Sequence, residues 1–206
     1  MATIKQVLQI ARPELGVKES PPNSNRTKYG RWFALDGYPW CMMFVQWVFA
    51  QAGMPLPCRT ASCSTLLRWF QKNQPARVTQ SPEPGDIAIY NFGHTGIVES
   101  VAPKTITAIE GNTAPNTSGS QNNGGEVCRK TRKRSLVTAF IRPDYQKEVS
   151  HMDNTPSPAH KSSVDWAVQK GILTGDADGD LMLSQSVTRQ QFCTMLLRFA
   201  KLIGKD

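Results

Sequence analysis

Three residues of this chain, a cysteine, a histidine and a glutamate, follow one another in an order that suits nucleophilic catalysis. Cys41 opens the apolar stretch CMMFVQWVFAQAG, His94 opens HTGIVESV, and Glu110 lies near the end of TITAIEGN. A thiol becomes a strong nucleophile when it is held as a thiolate beside a base, and the base needs an acceptor on its other ring nitrogen. Alternatively, Cys41 is one more small residue of an apolar core.

A buried helix is predicted to carry the cysteine. Apolar positions run from Trp40 to Phe49 and stop at Gly53 and Pro55, which are typical helix stop signals. Cys41 then lies in the first turn, where unpaired N–H groups and the helix dipole favour a thiolate.

Short antiparallel strands are predicted to carry the other two residues. His94 begins one strand and Glu110 ends the next, so neighbouring strands would bring them together. Asn112 lies two residues beyond Glu110 and is expected on the same strand face, where it would support either the imidazole or the substrate.

The order of elements predicts an α+β fold, with helices packed on an antiparallel sheet. Helical spacing occurs at residues 3–15 and 63–73, and the predicted strands follow them. We place a catalytic domain at 1–145, a polar linker with two prolines at 146–161, and a small helical module at 162–206. The predicted strands are PGDIAIY, HTGIVESV, TITAIEGN, EVCRKTRKR and LVTAFIRP.

The net charge of +8 lies entirely in the first part of the chain. Residues 1–145 hold 17 Lys and Arg against 9 Asp and Glu, whereas residues 146–206 hold 7 of each. Such a field attracts polyanions, including nucleic acid, anionic membranes and teichoic-acid-bearing walls. The run RKTRKR at 129–134 has no interleaved aromatic residue, so we expect no specific nucleic-acid binding and interpret it as a solvated basic strand.

Neither a metal site nor a disulfide framework is expected from the cysteines and histidines. Five cysteines contain no CxxC pair, and the three histidines lack metal-ligand spacing, so reduced thiols are predicted. The N-terminal residues are polar or charged every few positions and predict neither a signal peptide nor a membrane span. We therefore expect synthesis in a cytoplasm.

Three blocks of the sequence resemble the CHAP family, the cysteine- and histidine-dependent amidohydrolases and peptidases of phage endolysins and bacterial wall hydrolases. The blocks are YPWCMMFVQWVFAQAG, PGDIAIYNFGHTGIVESV and ITAIEGN, and the resemblance covers roughly residues 5–143. It implies a papain-like fold in which the cysteine attacks an amide carbonyl, the histidine moves protons and an acid orients the histidine. The matching residues are Cys41, His94 and Glu110, with Asn112 in the last block.

The resemblance also implies a substrate. Family members cut peptidoglycan, either between muramic acid and L-alanine or within the peptide. The cysteine would form a thioester after a tetrahedral oxyanion, which we expect the backbone N–H of Cys41 to hold. Trp32, Trp40 and Phe92 flank the implied site and either line a substrate groove or belong to the core.

Some members of the family bind calcium in the loop before the cysteine. In this chain that loop offers only Glu19, Asn23 and Asn25 as plausible oxygen ligands. We therefore expect no required cofactor, with calcium as a secondary hypothesis for this loop.

The tail resembles one S-layer homology repeat, a module that binds anionic secondary wall polymers. The resemblance rests on the WA…GI..G pattern, the turn DADGD and a threonine-arginine pair, and its matching residues include Trp166, Thr188 and Arg189. Arg189 is expected either to grip an anionic sugar or to form a helix-terminal salt bridge. Such repeats usually occur in threes, so this single copy implies either self-association of the chain or weak binding.

Two functions compete at this stage. The favoured hypothesis is an endolysin without a signal peptide, released through a holin-type pore, in which a thiol amidase or endopeptidase is tethered to a wall-binding module. The alternative is a non-catalytic or weakly catalytic wall-binding protein on a CHAP-like fold.

Overall fold

The computed structural model describes residues 2–146, 153–176 and 179–204. The chain divides into two compact units, Met1–Glu148 and Val149–Asp206. Residues 147–152 of the predicted linker and residues 177–178 of the predicted DADGD turn lie outside the described residues. Across the described ranges, we find no helix that is both long enough and apolar enough to span a membrane.

The helices of the first unit form largely where the sequence predicts them. Their bounds are α1 Ile4–Ala11, α2 Lys28–Phe33, α3 Cys41–Gln51 and α4 Cys63–Asn73. The predicted helix at 3–15 is shorter than expected, because Pro13 lies in a 3-10 turn over Arg12–Glu14 that follows α1. The six-residue α2 was not predicted, and it ends at Ala34 in the left-handed conformation.

The strands confirm the prediction of an α+β fold with an antiparallel sheet. Their bounds are β1 Val78–Thr79, β2 Ile87–Tyr90, β3 His94–Val101, β4 Thr105–Thr113, β5 Glu126–Lys133 and β6 Val137–Ile141. Among the described residues they form one sheet in the order β1-β6-β2-β3-β4-β5, with every neighbouring pair antiparallel.

The two faces of the sheet have different environments. The Ile97–Ile109 pair of β3 and β4 belongs to the larger core, which α1, α3 and α4 complete. The Val98–Ala108 pair points to the opposite face and belongs to a smaller apolar cluster. Because β3 and β4 alternate between these faces, their polar residues on the second face lie away from the main core.

The basic run on β5 is not the solvated strand that its charge suggested. Lys130 and Arg132 alternate with exposed neighbours and are both buried. The Lys130 ammonium donates to the carbonyl oxygens of Ala114 and Pro115, at 2.8 and 3.3 Å. These bonds hold the start of the polar loop 114–125 against the second face, so Lys130 has a structural role.

The second unit contains little core among its described residues. Its helices are α5 Lys161–Gln169 and α6 Arg189–Leu202, and Ile172 is the buried hydrophobic residue of this part of the structure. Asp153 and Asn154, which the sequence placed in the linker, bond to the turn around Asp180. The hydrogen-bonded segment therefore extends before the predicted module boundary.

Gly111 lets α3 lie directly on β4, and this contact predicts a stability effect. A Cβ at this position would lie 2.6 Å from Phe44 Cβ and 2.8 Å from Trp40 Cζ3. We expect Gly111→Ala to lower the free energy of unfolding of the first unit by about 1–3 kcal/mol, because the helix must shift. Urea unfolding followed by tryptophan fluorescence measures this, since four of the five tryptophans lie in that unit.

The matched control is Thr107→Ala on the same strand, where the side chain is half-buried and its hydroxyl lies 3.4 Å from that of Thr131 on β5. This substitution should lower the free energy of unfolding by less than about 1 kcal/mol. Equal stability of Gly111→Ala and wild type would contradict the direct packing of α3 on β4.

Candidate active site

Cys41 is the first residue of α3, and its position there is fixed by the packing of the helix. Met42, Phe44 and Val45 are fully buried, so the helix has no freedom to rotate its first turn. The Phe44 N–H is bonded to the Trp40 carbonyl at 2.9 Å, which leaves the N–H groups that precede it outside the helical ladder. The thiol thus lies beside unpaired donors at a helix N-terminus, where negative charge is stabilised.

His94 and Glu110 meet on the second face of the sheet, as the sequence predicted. The imidazole Nε2 lies 3.2 Å from Glu110 Oε2, and both side chains are fully buried. Among the described buried polar atoms, His94 Nδ1 has no hydrogen-bond partner. The nitrogen opposite the carboxylate is therefore the one available to a thiol or to a reacting group.

Among the described side chains, Tyr90 and Arg132 also form hydrogen bonds with Glu110, in addition to His94. Tyr90 donates its hydroxyl to Oε1 at 2.8 Å, and Arg132 donates from Nε to Oε1 at 3.0 Å and from Nη2 to Oε2 at 2.6 Å. A buried carboxylate is stable only when paired and fully hydrogen-bonded, and the two-pronged arginine contact supplies both. The carboxylate is consequently held as an anion in one orientation toward His94.

Sequence reasoning missed Arg132, although a signal for it exists. In the run RKTRKR, every second residue shares a face, so Lys130 and Arg132 project together. Pairing β4 with β5 would then have placed them on the face of Glu110, which lies opposite Cys128. Arg132 also donates to Gln121 at 2.9 Å, and this bond ties the site to the loop 114–125.

The environment shifts the pKa values of the two central groups in opposite directions. The neighbouring Cys63 thiol and His94 hold the pKa of Cys41 well below its ordinary value, against the effect of burial. Burial alone lowers the pKa of His94, but Cys41 and Glu110 outweigh it and raise the value to about 9. Both shifts favour a thiolate beside an imidazolium over a neutral pair.

Burial favours a protonated Glu110, yet hydrogen bonds from His94 and Arg132 hold its pKa below the ordinary value. The glutamate thus remains charged and does not compete for the proton that His94 carries. Its chemical contribution is to orient the ring and to stabilise the imidazolium.

The aromatic residues that we predicted for a substrate groove have three different placements. Phe92 is half-buried and stacks on Tyr90 and His94, with ring centroids 5.2 and 5.8 Å apart. Trp32 is half-buried beneath the Arg59 guanidinium, 4.8 Å from its ring. Trp40 is fully buried, which corrects the prediction, because an indole without exposed surface lines no groove.

Asn112 does not support the imidazole, and its contacts show why. Its backbone is left-handed, with φ of 59°, and the β4–β5 register shifts between Glu110 and Thr113. The side-chain amide donates to Asn25 and Asn123 at 3.3 and 3.1 Å and accepts from the Gly125 N–H at 3.1 Å. Asn112 therefore joins two loops next to the site.

The residues considered for calcium already have other partners. Glu19 accepts backbone N–H bonds from Asn23 at 2.9 Å and from Asn25. Carboxylate oxygens that face N–H donors are poorly placed to receive a cation, and no group of three or more acidic, histidine or cysteine side chains suited to a metal occurs within the described ranges. These N–H bonds compete with a cation for Glu19, and calcium in this loop stays a prediction.

The comparison with known families agrees with this geometry. Residues 34–112 match the family model of the CHAP domain. This segment is similar to CHAP domains. It contains Cys41, His94 and Glu110, whereas Arg132 lies beyond its end. No curated protein matches the chain.

Solved structures that match the chain include the endolysin LysIME-EF1, at 16% identity and a TM-score of 0.48, over 83% of this chain and 87% of that chain. Ly7917 matches at 19% sequence identity and a TM-score of 0.41, and the match covers 69% of this chain and 62% of the Ly7917 chain. The structure of Ly7917 with the hydrolysing product of MDP matches at 20% sequence identity and a TM-score of 0.41, and the match covers 68% of this chain and 63% of that chain. The chain thus spans less than two thirds of Ly7917.

The predicted wall-binding residues all lie in the second unit. Trp166 of α5 is exposed and packs edge-on against Phe199 of α6, with centroids 6.5 Å apart. Thr188 caps α6 by accepting from the Gln191 N–H, and exposed Arg189 follows it. A cavity of 420 Å³ borders the same helix and is lined by residues that include Gln190, Gln191, Thr194 and Arg198.

Removing the charge of Glu110 should reverse part of the pKa shifts in the CHAP-like site. In Glu110→Gln, we expect the pKa of His94 to fall below about 9, because the anion that stabilises the imidazolium is gone. The pKa of Cys41 should rise for the same reason. Alkylation of Cys41 requires the thiolate, so its rate plotted against pH should move to higher pH, as read from the alkylated peptide by mass spectrometry.

Glu99→Gln is the matched control, since Glu99 lies on β3 and also binds arginines, but has no contact with His94. Its alkylation profile should equal that of wild type. If Glu110→Gln gives the same profile as this control, the carboxylate does not tune the thiol.

Proposed function

We propose that this chain is a peptidoglycan hydrolase that cuts a wall amide through the Cys41 thiolate. The observation that carries the proposal is the buried His94–Glu110 pair, which leaves one ring nitrogen free beside a cysteine at a helix N-terminus. That combination meets the requirements for covalent catalysis by a thiol. The CHAP match over residues 34–112 supports the wall as substrate.

Acylation begins with the Cys41 thiolate attacking the carbonyl carbon of the scissile amide. A carbon–sulfur bond forms and the carbonyl oxygen becomes an oxyanion, which the unpaired backbone N–H of Cys41 is placed to stabilise. The imidazolium of His94 then donates its Nδ1 proton to the leaving nitrogen, and the amine departs. A thioester remains on Cys41.

Hydrolysis uses the same histidine in the opposite sense. Neutral His94 accepts a proton from water through Nδ1, and the water oxygen attacks the thioester carbonyl. The carbon–sulfur bond breaks, and Cys41 leaves as a thiolate beside the new imidazolium. Throughout both steps Glu110 keeps the ring in one orientation, while Arg132 keeps Glu110 ionised.

The second unit is proposed to hold the enzyme on an anionic wall polymer. Arg189 is exposed at the start of α6. The cavity along that helix is lined by apolar side chains such as Leu173 and Met195, by amide and hydroxyl groups, by Asp176 and by the guanidinium of Arg198. A tethered binding module raises the effective concentration of a hydrolase at a polymeric substrate. The positive charge of residues 1–145 adds a salt-sensitive attraction to the same wall.

Loss of the nucleophile tests the catalytic proposal. Cys41→Ser should lower the rate of lysis of purified Gram-positive walls by about 10³-fold or more, because a serine hydroxyl has no comparable activation here. Turbidity measures the rate, and mass analysis of released fragments tells an amidase from an endopeptidase by the new ends.

Cys58→Ser is the matched control, because this half-buried cysteine packs at the margin of the core and its hydrogen bond to Gln46, at 2.8 Å, uses the backbone carbonyl, which the substitution keeps. It should lyse walls at close to the wild-type rate. Wild type that binds walls of several chemotypes but lyses none would instead favour the non-catalytic wall-binding function.

Wall binding by the second unit is tested in the Cys41→Ser background, which leaves the walls intact. Arg189→Gln should weaken sedimentation with walls by about 10-fold, the value of one charged hydrogen bond. Lys201→Gln removes the same charge from the last turn of α6 and should have little effect. Equal losses in the two variants would show general charge attraction in place of a site at Arg189.

A further inference from the structure

The nucleophile has a second thiol beside it. Cys41 Sγ and Cys63 Sγ lie 4.0 Å apart, and both residues are buried. Each is the first residue of its helix, Cys41 of α3 and Cys63 of α4. Two cysteines 22 positions apart in sequence are therefore brought into contact at two neighbouring helix N-termini.

The two sulfur atoms are near enough for a disulfide to form after a small movement of the side chains. A sulfur–sulfur bond is about 2.05 Å long, so the two atoms must approach by about 2 Å. The other three cysteines are placed differently. Cys58 is half-buried in the loop between α3 and α4, Cys128 lies on β5 against the Thr113 carbonyl, and Cys193 is exposed in the second unit, whereas the sulfur contact of Cys41 is with Cys63. Cys63 is thus the thiol positioned to react with an oxidised Cys41.

We propose that Cys63 is a resolving thiol, which captures an oxidised Cys41 as a Cys41–Cys63 disulfide when the protein meets a peroxide. The site serves a covalent modification in addition to wall cleavage. The proposal does not depend on which bond the enzyme cuts, since it concerns the state of two sulfur atoms.

The first step consumes one peroxide molecule. The Cys41 thiolate attacks one oxygen of hydrogen peroxide, a sulfur–oxygen bond forms, the oxygen–oxygen bond breaks, and hydroxide leaves. Sulfur supplies two electrons and becomes a sulfenic acid. In the second step the Cys63 sulfur attacks Cys41 Sγ, the sulfur–sulfur bond forms and the sulfur–oxygen bond breaks. The hydroxyl leaves as water with the proton of the Cys63 thiol.

Electrostatics keeps Cys63 inactive until that second step. Its hydrogen bond to Cys41, together with burial and the charge of that thiolate, raises the pKa of Cys63 far above the ordinary value. Cys63 therefore rests as a protonated thiol while Cys41 is the nucleophile. Conversion of Cys41 to a neutral sulfenic acid removes the neighbouring negative charge, so Cys63 becomes easier to ionise and can attack.

The expected consequence is reversible protection of the nucleophile. A sulfenic acid that is not captured proceeds to sulfinic and sulfonic acids, which thiol reductants do not restore. A disulfide removes the Cys41 thiolate from catalysis but returns it on reduction. The protein would lose activity in peroxide and regain it in a thiol reductant.

The test uses the full-length protein, hydrogen peroxide and thiol counting in denaturant. We expect the free thiols of wild type to fall from five by two, with a peptide pair linked through Cys41 and Cys63 in the mass spectrum. Dithiothreitol should restore both thiols. Oxygen adducts on Cys41 with Cys63 still open to alkylation, or no loss of thiols, would overturn the proposal.

Two variants sharpen the result. Cys63→Ser leaves the α4 cap intact, because Ser62 provides it, and its Cys41 should carry two or three added oxygens that dithiothreitol does not remove. Cys193→Ser should form the Cys41–Cys63 link as wild type does, which excludes exchange through the exposed cysteine. Full recovery of Cys41 in the Cys63→Ser variant would also overturn the proposal.

These readouts separate this proposal from the proposed function. Mass and thiol count do not require wall lysis, so a protein that forms the disulfide but lyses no wall supports the resolving thiol alone. A protein that lyses walls through Cys41 but forms no link supports the hydrolase alone.

Discussion

The carboxylate of Glu110 is removed from water, and the site depends on the donors that make this possible. An unpaired buried carboxylate takes up a proton, and a neutral carboxyl group would no longer stabilise the imidazolium of His94. Arg132 and Tyr90 prevent this by satisfying both oxygens. In the proposed mechanism, the reactivity of Cys41 thus depends on Arg132 of the edge strand β5, through the side chains of Glu110 and His94.

This requirement connects parts of the fold that are distant in sequence. The β4–β5 register places Arg132 on the side of Glu110, and the bulge that follows Glu110 turns Asn112 into the loops. Arg132 and Lys130 also hold the loop 114–125, which lies over the second face. Helix α3 supplies the proposed nucleophile, and the sheet supplies the charged residues His94, Glu110 and Arg132.

Helices and strands could be predicted from the sequence, because they follow local residue patterns. Contacts between strands could not, because they depend on which strands pair and in which register. Short runs rich in Val, Ile and Thr between turn residues predicted the strands, and the apolar run that begins at Trp40 placed Cys41 in the first turn of a helix. Arg132 was not predicted as a site residue because RKTRKR was interpreted from its charge alone. Its contact with Glu110 follows from the pairing of β5 with β4. Asn112 was misplaced because strand alternation ends at its left-handed backbone. For Trp40 the sequence left a substrate groove and the core as alternatives, because α2, whose Tyr29 stacks on it, was not predicted.

Gly96 of β3 makes room for the acid. A Cβ there would lie 2.6 Å from Glu110 Cγ, so the carboxylate side chain crosses the space that any larger residue would fill. We therefore expect the residue types at the two positions to depend on each other. In related chains, a residue with a side chain at the position of Gly96 should occur together with a shorter acid or amide at that of Glu110, and glutamate should be restricted to chains that keep the glycine.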